Sequence, residues 1–213
     1  MKPASLRTLL LPFFSSLKKN GIRFCVLRDY ENLPDSCNND VDILVARVAV
    51  QKTEQLLLSI AEENGYALHM RAEHSCLMLV FHDRGNPNCK VHIDLHTQIM
   101  WRGFQLIKTQ KILDTTIPYN SFFTPSPPIE HSINLLMRLL YHGKIRQNNF
   151  DIIVQAAISE TCKDHFFEEL QTILGRFQAT IIFKHLVKND INALEKRRNQ
   201  LRIAVILKNI THT

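Results

Sequence analysis

The chain has 213 residues, 26 Lys and Arg against 20 Asp and Glu for a formal charge of +6, and 45% apolar residues, enough to build a core. Its six glycines are scattered, the nearest two being Gly85 and Gly103. No glycine-rich loop can therefore close backbone N–H groups around phosphates, which excludes a P-loop and a dinucleotide fingerprint.

The run Leu9-Leu10-Leu11-Pro12-Phe13-Phe14 is too short for a signal peptide and lacks a cleavage site; with Lys18-Lys19-Asn20-Gly21 behind it, it predicts a first helix closed by Gly21. No stretch reaches the roughly 18 apolar residues a membrane-spanning helix needs. Residues 23–28 read as a strand and 29–39, rich in Asn, Asp and Ser, as a loop. A strand over 40–45 follows, then a helix over 50–64 with Leu56, Leu57, Ile60 and Ala61 on its apolar side and Gly65 at its C-cap. Three further strands are expected at 66–70, 76–81 and 90–96, the last two joined by a hairpin turn through 83–88.

Pro118, Pro125, Pro127 and Pro128 crowd one short stretch, which predicts a linker over 118–128 between an α/β domain at 1–117 and a helical domain at 129–213. Ile133, Leu136, Met137 and Leu140 recur at helical spacing up to Gly143, and Phe166, Phe167, Leu170, Ile173 and Leu174 up to Gly175. The fold class expected is α+β, a mixed sheet with flanking helices followed by an all-helical bundle. Residues 184–213 carry seven basic and two acidic side chains, including Lys196-Arg197-Arg198. A solvated helix face accounts for this charge, and nucleic acid is not expected as a partner. Five cysteines, odd in number and without a Cys-x-x-Cys pair, point to reduced thiols in the cytoplasm.

The chemistry concentrates in two strands. In Asn39-Asp40-Val41-Asp42-Ile43-Leu44-Val45, alternation sends Asp40 and Asp42 to one face about 7 Å apart and Val41 and Ile43 to the other. Adjacent carboxylates repel unless a cation neutralises them, and Mg²⁺ favours oxygen ligands. In Val91-His92-Ile93-Asp94-Leu95-His96 the apolar residues alternate with His92, Asp94 and His96, so Asp94 can join Asp40 and Asp42 if the strands pair. Three carboxylates suit a two-metal phosphoryl-transfer site. Uncompensated, they also predict that Asp42→Asn stabilises the metal-free protein. His92-x-Asp94-x-His96 could instead hold Zn²⁺. Trp101 and Arg102 could stack on a base, although packing is the commoner fate of a tryptophan.

Val26-Leu27-Arg28-Asp29-Tyr30-Glu31-Asn32-Leu33-Pro34, then the Asp-x-Asp strand, a helix and the later lone Asp94, resemble the polymerase-β-like nucleotidyltransferase superfamily. Within it the order of motifs is similar to a bacterial group of uncharacterised nucleotidyltransferases often associated with surface-polysaccharide genes. The resemblance spans residues 4 to about 145. It implies a Mg²⁺-dependent enzyme, with Mn²⁺ as a substitute ion, that moves a nucleoside monophosphate from an NTP to an acceptor hydroxyl such as a saccharide's. Asp40, Asp42 and Asp94 would be the catalytic metal ligands, Arg28 and Asn39 nucleotide contacts, and His92 and His96 supporting groups. The superfamily's Gly-Ser phosphate grip is replaced here by Leu27-Arg28-Asp29, where Arg28 could bind phosphate through its guanidinium or pair with Asp29 or Glu31. The helical part would wall the acceptor or form a homodimer surface. An Asp-x-Asp glycosyltransferase and a non-catalytic nucleotidyltransferase-like binding module are the alternatives.

Overall fold

A computed structural model describes residues 6–37 and 39–210; the ends of the N-terminal domain and basic tail calls, and one loop position, lie outside these. Two compact units are present: residues 1–98 with 109–125, and residues 99–108 with 126–213. The architecture is α+β, with a mixed sheet in the first unit and a largely helical second unit.

In the first unit, α1 (Leu6–Lys19) stops ahead of Gly21, and α2 (Val50–Glu63) ahead of Gly65, as the sequence leads one to expect. Strands β1 (Phe24–Val26), β2 (Asp40–Val45), β3 (Tyr66–Glu73), β4 (Leu77–Asp83) and β5 (Asn86–His96) form one sheet in the order β1-β2-β5-β4-β3. The β2–β5 pair is parallel and the other three pairs are antiparallel. A two-residue turn, Arg84-Gly85, joins β4 to β5, with the Gly85 N–H donating to the Asp83 carboxylate at 2.7 Å. It shortens the expected turn and lengthens both strands.

Period-two alternation gives this sheet two different faces. Val41, Ile43 and Val45, with Val91, Ile93 and Leu95 and with Leu77, Leu79 and Phe81, join Leu9, Phe13, Phe14 and Leu17 of α1 and Leu57 and Ile60 of α2 in one buried cluster. Burying that many branched and aromatic side chains fixes the register, because a one-residue slip would turn the apolar set to the wrong face. The second face therefore has to carry Asp40, Asp42, His92, Asp94 and His96.

The stretch expected as a linker is structured. Strands β8 (Ile117–Tyr119) and β9 (Phe122–Thr124) pair as a hairpin after α3 (Thr109–Asp114). Phe122 is fully buried, its ring 5.1 Å from that of Phe14. Pro127 and Pro128 then open α4 (Pro127–Met137), where a missing N–H costs nothing.

The second unit holds the hairpin β6 (Ile99–Trp101) and β7 (Phe104–Ile107), α4 with a π-helical turn at Arg138–His142, and five further helices. These are α5 (Gln147–Ile158), α6 (Lys163–Leu174), α7 (Arg176–Val187), α8 (Ile191–Lys196) and α9 (Arg198–Ile210). Trp101 is buried, with the Arg102 and Arg202 guanidinium groups over its ring at 5.6 and 5.5 Å. Its place is packing rather than base stacking. The basic run is also engaged: Arg197 Nε donates to His185 Nε2 at 3.2 Å and Arg198 Nη2 to the Tyr141 carbonyl at 2.7 Å. No helix among the described residues is long and apolar enough to cross a membrane.

Candidate metal centre

The parallel β2–β5 register sets Asp40 beside His92, Asp42 beside Asp94 and Leu44 beside His96. One carboxylate oxygen from each of Asp40, Asp42 and Asp94 lies within 4.8 Å of the others. The three aspartates read from the sequence thus share one patch of the sheet's second face. Asp42 sits deepest, 2% exposed.

Arg28 reaches this patch from β1. The Leu27 N–H donates to the Asp42 carbonyl at 2.9 Å, extending the β1–β2 ladder by one step and bringing the next residue alongside the acids. Arg28 Nε then donates to Asp42 Oδ2 at 2.5 Å, and its Nη2 lies 3.8 Å from Asp40 Oδ2. Asp29 follows with φ +52°, a left-handed conformation that Asp tolerates better than most residues and that turns the chain away. Arg28 is neither extended toward the loop nor paired with Glu31; it straddles two of the three acids.

His96 supplies the other half of the clamp. Its Nε2 is 2.8 Å from Asp42 Oδ1, so both carboxylate oxygens of Asp42 are engaged. Burial pushes the Asp42 carboxyl up, but the His96 and Arg28 hydrogen bonds and Arg28's charge outweigh it and hold it below the usual carboxylate value. Asp40 goes the other way. Burial and the Asp42 charge raise it, and Arg28 offsets them only in part. The expectation that all three acids repel uncompensated in the metal-free protein is therefore corrected: Arg28 already neutralises Asp42, whose other carboxylate oxygen His96 contacts.

Asp94 is different again. His92 Nε2 approaches its Oδ1 to 3.1 Å, yet both atoms are buried and make no aligned hydrogen bond. A buried, unsatisfied carboxylate oxygen among two other carboxylates is a donor set that fits a hard divalent cation. The idea that His92, Asp94 and His96 together hold Zn²⁺ does not survive strand geometry. His92 and His96 are four residues apart on β5, about 13 Å at the Cα atoms. Neither residue group with metal-binding geometry among the described residues contains His92. Asn39 is exposed, directly before Asp40.

Sequence reasoning missed Cys76, whose thiol lies within 4.8 Å of ligand atoms on Asp94 and His96. Burial, the Asp94 charge and hydrogen bond, and the Asp42 charge push it up to about 11. Only the β4–β5 register could have revealed this position.

No family model matches the chain, and no curated protein does. Among solved structures, it is similar to JHP933 from Helicobacter pylori at 10% identity, over 95% of this chain and 90% of that one, with a TM-score of 0.45. It is also similar to an antigenic nucleotidyltransferase-like protein from Paracoccidioides brasiliensis at 14% identity, over 91% and 94% of the two chains, with a TM-score of 0.49. At these identities and scores, any functional reading rests on the geometry around Asp42.

Proposed function

We propose that the first unit performs divalent-metal-dependent nucleotidyl transfer from an NTP to an acceptor hydroxyl. The supporting observation is the meeting of Asp40, Asp42 and Asp94 on one sheet face, with an oxygen of each within 4.8 Å of the others. Such an oxygen-only donor set suits Mg²⁺, and Mn²⁺ can replace it. Bound there, the ions would polarise the α-phosphoryl group and neutralise the charge that builds as pyrophosphate leaves.

The chain's own residues do the rest. The acceptor oxygen forms a bond to the α-phosphorus while the bond to the pyrophosphate oxygen breaks. Asp94, with a buried carboxylate oxygen that lacks a hydrogen-bond partner, orients the acceptor hydroxyl and receives its proton. His96 holds Asp42 in place through its 2.8 Å contact, and His92 sits against Asp94 at 3.1 Å. Arg28 turns from Asp42 to the triphosphate, replacing the missing Gly-Ser grip with a planar guanidinium. Asn39, exposed ahead of Asp40, adds a nucleotide contact. The resemblance in the sequence points to a saccharide or another small hydroxyl compound as acceptor. The five unpaired cysteines support a cytoplasmic setting.

One observation favours a second reading, nucleotide binding without turnover: both oxygens of Asp42 are engaged by Arg28 and His96. Labelled NTPs with Mg²⁺ and a small-molecule extract as acceptor source separate the readings. Pyrophosphate release that disappears in Asp40→Asn and Asp94→Asn is the expected result. Nucleotide binding without release supports the binding module, and transfer only from nucleotide-sugars supports the glycosyltransferase.

A further inference from the structure

Beside the all-oxygen cluster, the same sheet face carries a group of different chemistry. In the antiparallel β4–β5 ladder Leu77 pairs with Leu95 and Met78 with Asp94, which sets Cys76, one residue ahead of β4, opposite His96. A ligand atom from each of Cys76, Asp94 and His96 lies within 4.8 Å of the other two. Thiol, imidazole and carboxylate together are a poor match for Mg²⁺ and a good one for a borderline transition ion.

The geometry points to a transition-metal site, of the Zn²⁺ class, formed by Cys76, Asp94 and His96. Zn²⁺ bonded to sulfur at about 2.3 Å and to nitrogen and oxygen at about 2.1 Å would hold its ligands roughly 3.3–3.8 Å apart, so closing a triangle whose sides are within 4.8 Å takes at most an ångström or so. All three residues are half-buried, which leaves the open fourth position that a three-ligand zinc site keeps.

Two further observations support the assignment. Asp94 Oδ1 is buried without an aligned hydrogen-bond partner, which an ion would satisfy. His96 Nε2 meets the Asp42 carboxylate at 2.8 Å. A carboxylate in such contact is the kind of partner that orients a metal-binding histidine. Asp42 is thus a positioning residue for this site while remaining a ligand of the acidic cluster. Asp94 belongs to both groups, so a soft ion and a hard ion compete for its oxygens. The inference stands apart from the nucleotidyl-transfer reading, since metal binding here needs neither nucleotide nor turnover.

Cobalt(II) titration of the reduced, metal-stripped protein tests it. A thiolate-to-cobalt absorption band saturating at one ion per chain is expected, reversed by equimolar Zn²⁺ and weakened by Mg²⁺ only in large excess, through the shared Asp94. Cys76→Ser should abolish the band, His96→Gln should weaken cobalt binding by about tenfold or more, and Cys162→Ser, in the second unit, should leave it unchanged. No band in the wild type, or a band that survives in Cys76→Ser, overturns the site. A measurement without any variant guards against misfolding: Zn²⁺ should protect Cys76 from alkylation, read by mass spectrometry of its peptide. Equal alkylation rates with and without Zn²⁺ overturn the assignment as well.

Discussion

Arg28 Nε stands 2.5 Å from Asp42 Oδ2, so the deepest acid of the candidate centre is neutralised by the chain itself before any ion arrives. This pairing separates two aspartates that the sequence presents as equivalents. Asp42 is clamped by Arg28 and His96, whereas the Asp40 carboxylate has Arg28 Nη2 at the longer distance of 3.8 Å.

The first prediction compares Asp42→Asn with Asp40→Asn in the metal-free protein. An amide at 42 cannot accept from both Arg28 and His96, so a donor is left facing an N–H group. Leaving a partly buried charged donor unpaired costs about 1–3 kcal/mol, or a lowering of the first unit's Tm by about 2–10 °C. Asp40→Asn removes a carboxylate already destabilised by burial and by Asp42, and should melt at or slightly above wild type. Thermal unfolding with chelator present checks both. An Asp42→Asn protein as stable as wild type would show that the clamp does not hold in solution.

The pH dependence of stability follows with opposite signs for the two acids. Asp42 has a folded pKa below its unfolded value of about 3.8, so its contribution is in force above that value and is lost as pH falls through the lowered one. Asp40 has a folded pKa above 3.8. Its penalty is absent below that value and grows as pH rises through the raised one. The stability advantage of Asp40→Asn over wild type should therefore increase across that window and level off above it. Urea unfolding at a series of mildly acidic pH values measures this, and an advantage that does not vary with pH contradicts it.

Much of this site was legible because its signals are local. Asp40-x-Asp42 and the alternation from Val91 to His96 declare a buried and a polar face within six residues each. Arg28 was legible as a candidate, but its partner was not, because the ladder step from Leu27 to Asp42 is a tertiary fact. Cys76 was invisible for the same reason: its approach to His96 depends on the Arg84-Gly85 turn that sets the β4–β5 register. The extension of β3 to Glu73 escaped notice because its residues beyond Tyr66 are largely exposed and do not alternate. The short hairpins at 99–107 and 117–124 lie beside Gly and Pro signals that also describe loops.

Gly143 provides a test of the second unit alone. It closes the π-helical turn at φ +70°, and a Cβ there would lie 2.8 Å from Cδ, Nε and Nη1 of Arg198. Gly143→Ala should cost about 1–2 kcal/mol from the left-handed backbone, with a further loss as Arg198 is pushed from the Tyr141 carbonyl. Adding Arg198→Ala removes the clash and leaves the backbone cost. Unfolding of the single and double variants measures the two parts. A double variant that recovers the stability of Arg198→Ala alone would mean that the backbone at 143 carries no strain for alanine.

The last prediction returns to Arg28, whose two roles pull in opposite directions. In the metal-free protein its guanidinium is the cation of the acidic cluster, held by Asp42 and close to Asp40. An incoming divalent ion must displace that charge, so Arg28→Ala should bind Mn²⁺ or Mg²⁺ more tightly than wild type in the absence of nucleotide. Once ions neutralise the aspartates, the guanidinium is released to the phosphates. Arg28→Ala should then bind NTP more weakly in the presence of Mg²⁺, by about 10- to 100-fold for the loss of charge-assisted hydrogen bonds. Arg28→Lys keeps the charge but not the planar fork and should fall between the two in both measurements. Calorimetric titrations with metal alone, and with NTP at saturating metal, give the two affinities separately. Tighter metal binding with unchanged NTP affinity would make Arg28 a counter-ion only, and weaker binding of both would mean that it organises the site rather than competing for it.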